Sequence, residues 1–153
     1  MRFLFLLGFC YALEMIDVYK NGESGYKCIR IPALLRTQAD TILAFAEARK
    51  LNCNDHGSVD LVVKRSHDNG LTWSTLEVIQ GNSNSTDPET FGNAAPVQDR
   101  TTGEILLIFC RNNAQVLLTK SSDDGATWSP PTTLSNVVKP HWKWVATGPP
   151  GAL

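Results

Sequence analysis

From residue 26 onward, short apolar runs alternate with clusters of turn-forming residues. The runs occupy residues 29–35, 41–46, 59–63, 76–79, 104–110 and 116–120, each four to eight residues long and rich in Val, Ile, Leu and Thr. That length and composition is typical of strands, whereas helices need longer segments. Between the runs lie Asn-Gly pairs at 21–22 and 69–70, the stretches 38–40, 81–87 and 99–103, and Pro130-Pro131. These supply the residues that reverse a chain. Outside residues 1–14, no segment keeps an apolar i, i+3, i+4 spacing for three turns. The pattern predicts an all-β fold of antiparallel hairpins with few helices.

A repeat is laid over this pattern. Ser66-His67-Asp68-Asn69-Gly70-Leu71-Thr72-Trp73-Ser74 recurs 55 residues later as Ser121-Ser122-Asp123-Asp124-Gly125-Ala126-Thr127-Trp128-Ser129, and each copy follows an apolar run that ends on a basic residue. A period of roughly 40 to 55 residues containing several short strands is what a propeller blade requires. In the shared S-x-D-x-G-x-T-W, the aspartate can accept backbone N–H groups, the glycine can turn left-handed and the tryptophan can bury its ring against the blade. Asp68 and Asp123 are therefore read as structural, because a carboxylate locked into its own turn is poorly placed for chemistry. Two repeats predict about two blades, with a third starting after Leu134. Propellers close with about four to eight blades, so the chain is expected to be the N-terminal part of a longer propeller or a truncated gene product.

Composition narrows the function. With 42% apolar and 19% charged residues the chain can bury a core, and its net charge of −1 and longest basic pair, Lys64-Arg65, give no footprint for nucleic acid or an anionic membrane. An acidic substrate would be met by single arginines. Residues 1–14 stand apart: Arg2 precedes an apolar run from Phe3 to Leu13 broken only by Gly8. This resembles a secretory signal peptide or leader, with Cys10-Tyr11-Ala12 offering small residues for cleavage, and it is too short to span a bilayer. The alternative is that translation begins at Met15. No other segment is apolar enough for a membrane helix. Cys28, Cys53 and Cys110 show no C-x-x-C or zinc spacing; they are read as small buried side chains or one accidental pairing. Asn84-Ser85-Thr86 is an N-glycosylation acceptor, which matters only in a secreted chain.

One family brings these features together. Tyr26-Lys27-Cys28-Ile29-Arg30-Ile31-Pro32-Ala33-Leu34 resembles the R-I-P motif that opens sialidases, and the two repeats resemble their Asp boxes. Phe45-Ala46-Glu47-Ala48-Arg49 is similar to the family's arginine-bearing second strand, and Gly92-Asn93-Ala94-Ala95-Pro96-Val97 to its next substrate-facing segment. The likeness runs from residue 17 to the end, although Pro150 and Ala152 depart from the usual pattern there.

The resemblance implies a partial six-bladed β-propeller, of which this chain forms about two to three blades. It also implies exo-α-sialidase activity on sialylated glycoproteins, gangliosides or oligosaccharides, without metal or cofactor, in a lysosomal or extracellular setting if the leader is real and a cytoplasmic or membrane-associated one otherwise. Oligomeric state is left open. By the same resemblance, Arg30 is one of three arginines that clamp the substrate carboxylate, a task suited to a planar, permanently charged fork. Asp55, six residues after Arg49 in the loop 50–57, is the general acid/base that protonates the leaving oxygen. Arg49 contacts the substrate near its carboxylate or ring hydroxyls, Asn93 bonds a polar substituent, and Glu47 orients an arginine. The residues alone leave blander readings open: Arg30 in a surface ion pair, Asn54 to Gly57 as plain turn chemistry, Glu47 in a structural pair. Sialidases use a tyrosine nucleophile, since an anionic one would be repelled by the substrate carboxylate. That tyrosine, its glutamate partner and the other clamp arginines belong to later blades; Tyr11, Tyr19 and Tyr26 match none of them. A non-catalytic sialic-acid-binding propeller module and an inactive truncated product are the rival readings.

Overall fold

In the computed structural model, which describes residues 15–82 and 87–149, each of the six apolar runs falls on a strand, three of them starting one residue before it. The strands are β1 (Cys28–Arg36), β2 (Ile42–Arg49), β3 (Val59–Ser66), β4 (Glu77–Gln80), β5 (Phe91–Gln98), β6 (Ile105–Arg111), β7 (Gln115–Ser121) and β8 (Thr132–Thr133). They form two four-stranded antiparallel sheets in the simple orders β1-β2-β3-β4 and β5-β6-β7-β8, two blades of a propeller. Residues 134–149 add no strand; they run through a short 3-10 turn, and Leu134, Val138 and Val145 pack onto Cys110 and Val116 of the second sheet. The leader, the glycosylation acceptor and Pro150 to Ala152 lie outside the described residues.

Two strands were invisible to periodicity. β8 is a two-residue strand just after Pro130-Pro131. β5 carries Gly92, Asn93 at φ 57° and Pro96, which break the alternation. It is tolerated because β5 is a sheet edge, where a proline leaves no ladder bond unmade, and because a bulge between Gly92 and Ala95 absorbs the irregular residues. β1 has the same device, a bulge between Arg30 and Ala33 with Ile31 at φ 57° and Pro32 beside it. Bulges re-aim side chains, and in both blades they lie at the end that carries the cleft described below.

The main core lies between the sheets: Leu43, Phe45, Leu61 and Val63 of the first pack against Phe91, Ile105, Leu107 and Phe109 of the second. Fully burying a side chain of this size stabilises by about 1.5–3 kcal/mol. β2 is covered on both faces. Its alternating Ala44, Ala46 and Ala48 are small enough for residues 17–26 to lie close, with Tyr26 packed on Ala46 and Ala48 and the Tyr19 hydroxyl donating to the Ala44 carbonyl at 2.6 Å.

The repeats fold as self-bonded turns at one end of each sheet. In the first, Ser66 Oγ donates to Asp68 Oδ1 at 2.8 Å and accepts the Gly70 N–H at 2.8 Å, while Asp68 Oδ1 accepts the Thr72 N–H at 2.8 Å. Ser121, Asp123, Gly125 and Thr127 repeat the arrangement, with Gly70 and Gly125 at φ 87° and 80°. The tryptophans diverge. Trp128 packs edge-on against Phe45 of the other blade, whereas the Trp73 indole N–H closes on its own turn at the Gly70 carbonyl. The second turn is thus an inter-blade contact, and the Arg65 guanidinium also donates to the Gly125 carbonyl at 2.9 Å.

The threonine hydroxyl and the turn N–H groups pull Asp68 and Asp123 from 3.8 down to about 2. Because these values are depressed in the folded state, the turns gain stability from ionisation above the ordinary carboxylate range and lose it as pH falls from 3.8 to about 2. Acid titration followed by the amide resonances of Gly70 and Gly125 is expected to show both turns loosening in that window. Asp68→Asn and Asp123→Asn are expected to remove the corresponding part of the transition.

The cysteines divide between the two readings left open by the sequence, one pairing and one buried side chain. Cys28 and Cys53 form a disulfide with a Cα–Cα distance of 5.3 Å, while Cys110 is free and buried. Antiparallel register explains it: Cys28 faces Arg49, and the chain leaving Arg49 folds back so that Cys53 returns over the same strand end. Joining residues 25 apart stabilises by about 3.5 kcal/mol in the chain-entropy treatment.

Candidate active site

The site lies at the strand ends opposite the Asp boxes. β2 and β3 are paired from Ile42 opposite Ser66 at the Asp-box end to Arg49 opposite Val59 at the far end. A cleft of about 200 Å3 there is lined by Arg30 and Ile31 of β1, Glu47 and Arg49 of β2, Asp55, Asn93 of β5, Asn113 and Trp144. The four substrate-facing residues expected from the sequence, Arg30, Arg49, Asp55 and Asn93, therefore meet in one place.

Arg49 forms the floor. Its side chain is 3% exposed, and its guanidinium donates to Glu47 Oε2 at 2.6 Å, to Asp55 Oδ1 at 2.9 Å and to the Cys53 carbonyl. Its Nε is buried without a hydrogen-bond partner. Arg30 stands at the rim, half-exposed, with Nη1 3.3 Å from the Cys53 carbonyl oxygen and 3.6 Å from Asp55 Oδ1. Asp55 is 61% exposed. The hydrogen bond from Arg49, reinforced by the charges of Arg49, Arg30 and His56, holds its carboxyl below the usual range. In the free protein Asp55 is an anion between two cations.

Glu47 ties the blades together. Besides holding Arg49, it accepts the Asn93 N–H on Oε1 at 3.0 Å. Gly92 makes room for this, since a Cβ there would lie 2.1 Å from Glu47 Oε1. Asn93 donates its amide to Asn113 Oδ1 at 3.0 Å, and its carbonyl accepts the Thr147 hydroxyl at 2.6 Å. Asn113, in the β6–β7 turn at φ 49°, is oriented toward the Asp55 carbonyl at 3.4 Å. The sequence reading missed Asn113 and Trp144 as cleft residues. The sequence reading gave residues 111–114 no role, although the adjacent Asn112 and Asn113, able to take positive φ, were a signal that an irregular backbone sits there. His56 packs its ring edge-on against Trp144, with centroids 5.3 Å apart.

Residues 40–150 match the BNR repeat-like domain family. An exo-alpha-sialidase of Arthroderma benhamiae is 32% identical over 82% of this chain and 38% of its own length. One from Aspergillus fumigatus is 33% identical, again over 82% of this chain and 38% of itself. This chain belongs to the sialidase family. It spans less than two fifths of either fungal sialidase. Sialidase-2 of Mus musculus is 27% identical over 92% of the chain and 42% of its own length. Among solved structures, the Hadza microbial sialidase Hz136 superposes with a TM-score of 0.72 at 24% identity, over 78% of this chain and 28% of that one. Trypanosoma rangeli sialidase in complex with sialic acid does so at 0.58 and 18% identity, over 75% of this chain and 22% of that one; these two likenesses establish the fold. In this chain Tyr19 and Tyr26 lie away from the cleft, in the cluster outside β2. Burial raises both phenols above their ordinary value, and Tyr26 donates to Asp60 Oδ2 at 2.6 Å. Neither is an activated nucleophile.

Proposed function

We propose that this chain builds the leaving-group side of an exo-α-sialidase active site, completed by further blades of the whole protein. The juxtaposition of Arg30, Arg49 and Asp55 in one cleft supports the reading most directly. Arg30, half-exposed and engaged through Nη1, offers its fork to the substrate carboxylate. That carboxylate competes with Asp55 for the cation, and the sugar covering Asp55 excludes water; both raise its affinity for a proton. Protonated Asp55 then gives the proton to the glycosidic oxygen as the bond to the anomeric carbon breaks. A tyrosine outside this chain forms the new bond to that carbon, passing its proton to a glutamate, and water then releases sialic acid with retention. Arg49 holds Asp55 in reach, and Asn93 and Asn113 line the opposite wall. The substrate is a terminally sialylated glycoprotein, glycolipid or oligosaccharide. The Cys28–Cys53 disulfide and the leader-like residues 1–14 support a secretory, lysosomal or extracellular setting, because such bonds persist in oxidising compartments.

The test is hydrolysis of a fluorogenic sialoside by the full-length protein. Arg30→Ala is expected to lower kcat/KM by roughly 10- to 150-fold, the equivalent of one charge-assisted hydrogen-bonding contact, with a matching loss of affinity for free sialic acid. A folded protein that binds sialic acid without hydrolysing sialosides would favour a lectin-like module, a reading that the anionic state of free Asp55 also suits.

A further inference from the structure

The cleft gives roles to two arginines and an aspartate, and none to the cysteine between them. Cys53 lies four residues after Arg49 and two before Asp55. Its sulfur is bonded to Cys28, the first residue of β1, two residues before Arg30. Its carbonyl oxygen accepts from Nη1 of both Arg30 and Arg49, and the same two nitrogens face Asp55 Oδ1 at 3.6 and 2.9 Å. A single carbonyl therefore separates two cations that also hold the carboxylate.

Little else holds this part of the loop. Residues 51–56 are all exposed. The remaining tethers are few: within it, the Asn113 amide to the Asp55 carbonyl at 3.4 Å and the His56 ring against Trp144; at its ends, Lys50 N–H to the Ser58 carbonyl at 3.0 Å and Gly57 N–H to Thr90 Oγ1 at 3.1 Å. At the tip, the covalent link to β1 does what a packed core does elsewhere. Groups in an active site must be held to a fraction of an ångström to be effective.

We propose that the Cys28–Cys53 disulfide is a positioning element of the site, anchoring the Cys53 carbonyl between Arg30 and Arg49 so that Asp55 is presented at a fixed place. Its catalytic consequence rests on the sialidase reading above; its structural consequence does not. Reduction by one dithiothreitol breaks the Sγ–Sγ bond: the reagent gives up two electrons and two protons to become a cyclic disulfide, and each cysteine becomes a thiol. Cys110, free and buried, takes no part.

The experiment compares the full-length protein with its Cys28→Ala/Cys53→Ala variant, which keeps the carbonyl at position 53 and loses only the anchor. By hydrogen exchange, the Asn54 and Gly57 amides, hydrogen-bonded to Asn52 Oδ1 and Thr90 Oγ1, are expected to exchange at least about tenfold faster in the variant while the Gly70 and Gly125 amides of the Asp boxes are unchanged. On a fluorogenic sialoside, kcat is expected to fall roughly 10- to 100-fold. The limb of the kcat/KM profile governed by Asp55 moves to higher pH as its contact with Arg49 loosens. Dithiothreitol should reproduce these changes in the wild type, reoxidation should reverse them, and the variant should be insensitive. Unchanged exchange at Asn54 and Gly57 would overturn the proposal. So would a general loss of protection that includes the Asp boxes, with kcat per folded molecule and pH profile unaltered, since the bond would then serve stability alone. Should the oxidised wild type hydrolyse no sialoside, the sialidase reading fails, and the exchange comparison still decides the positioning claim.

Discussion

Glu47→Ala is expected to destabilise the protein by about 3–5 kcal/mol, the usual cost of breaking one side of a buried ion pair. Glu47 and Arg49 side chains are 5% and 3% exposed and meet at 2.6 Å, so the alanine variant leaves a guanidinium in the interior with one countercharge fewer. It also strips the Asn93 N–H of its acceptor on β5, adding an unsatisfied donor at the seam between the blades. Glu47→Gln should fall between wild type and alanine, because the amide can accept one of the two bonds while its NH2 group opposes the other. Urea unfolding checks this: the midpoint should drop with the m-value unchanged. A loss below about 1 kcal/mol would mean that the pair behaves as a solvated surface bridge.

Asp55→Ala should separate activity from stability in the opposite sense. Hydrolysis of a natural sialoside is expected to fall roughly 10²- to 10⁴-fold, the range for losing a general acid, while the unfolding midpoint barely moves because the side chain is 61% exposed. The loss should be smaller for a sialoside whose leaving group is a phenol, since a phenolate departs with little help from a proton. A loss independent of the leaving group would point to a binding role instead. The stability that Asp55 does contribute has a definite sign. Its carboxyl is held below the usual range by Arg49, so the contribution is present above that range and disappears as pH falls through the lowered value.

These two residues mark how far reading the chain could go. Asp55 was singled out by resemblance, but Asn54 to Gly57 is also ordinary turn chemistry, and only the cleft shows it bonded to a buried arginine. Glu47 was left between two roles. The structure gives it both, because its neighbour across the blade seam, the Asn93 N–H, comes from a strand 46 residues away. Which cysteines pair was left open for the same reason: the β1–β2 register that places Cys28 opposite Arg49 is a tertiary fact, although each strand was legible by itself.

What the sequence determined alone is whatever short-range physics specifies. Six strands followed from runs of β-branched and aliphatic residues bounded by turns, and the Asp boxes followed because serine, aspartate, glycine and threonine within a few positions satisfy one another without outside help. Only the tertiary structure decided which side chains share the cleft. Arg30, Glu47, Asp55, Asn93, Asn113 and Trp144 come from separate segments of both blades and of the stretch that follows them, and their meeting depends on strand register, on two bulges that re-aim the edge strands and on a glycine that leaves space for Glu47. Such contacts form between groups far apart along the chain, where local preference carries no information about distance.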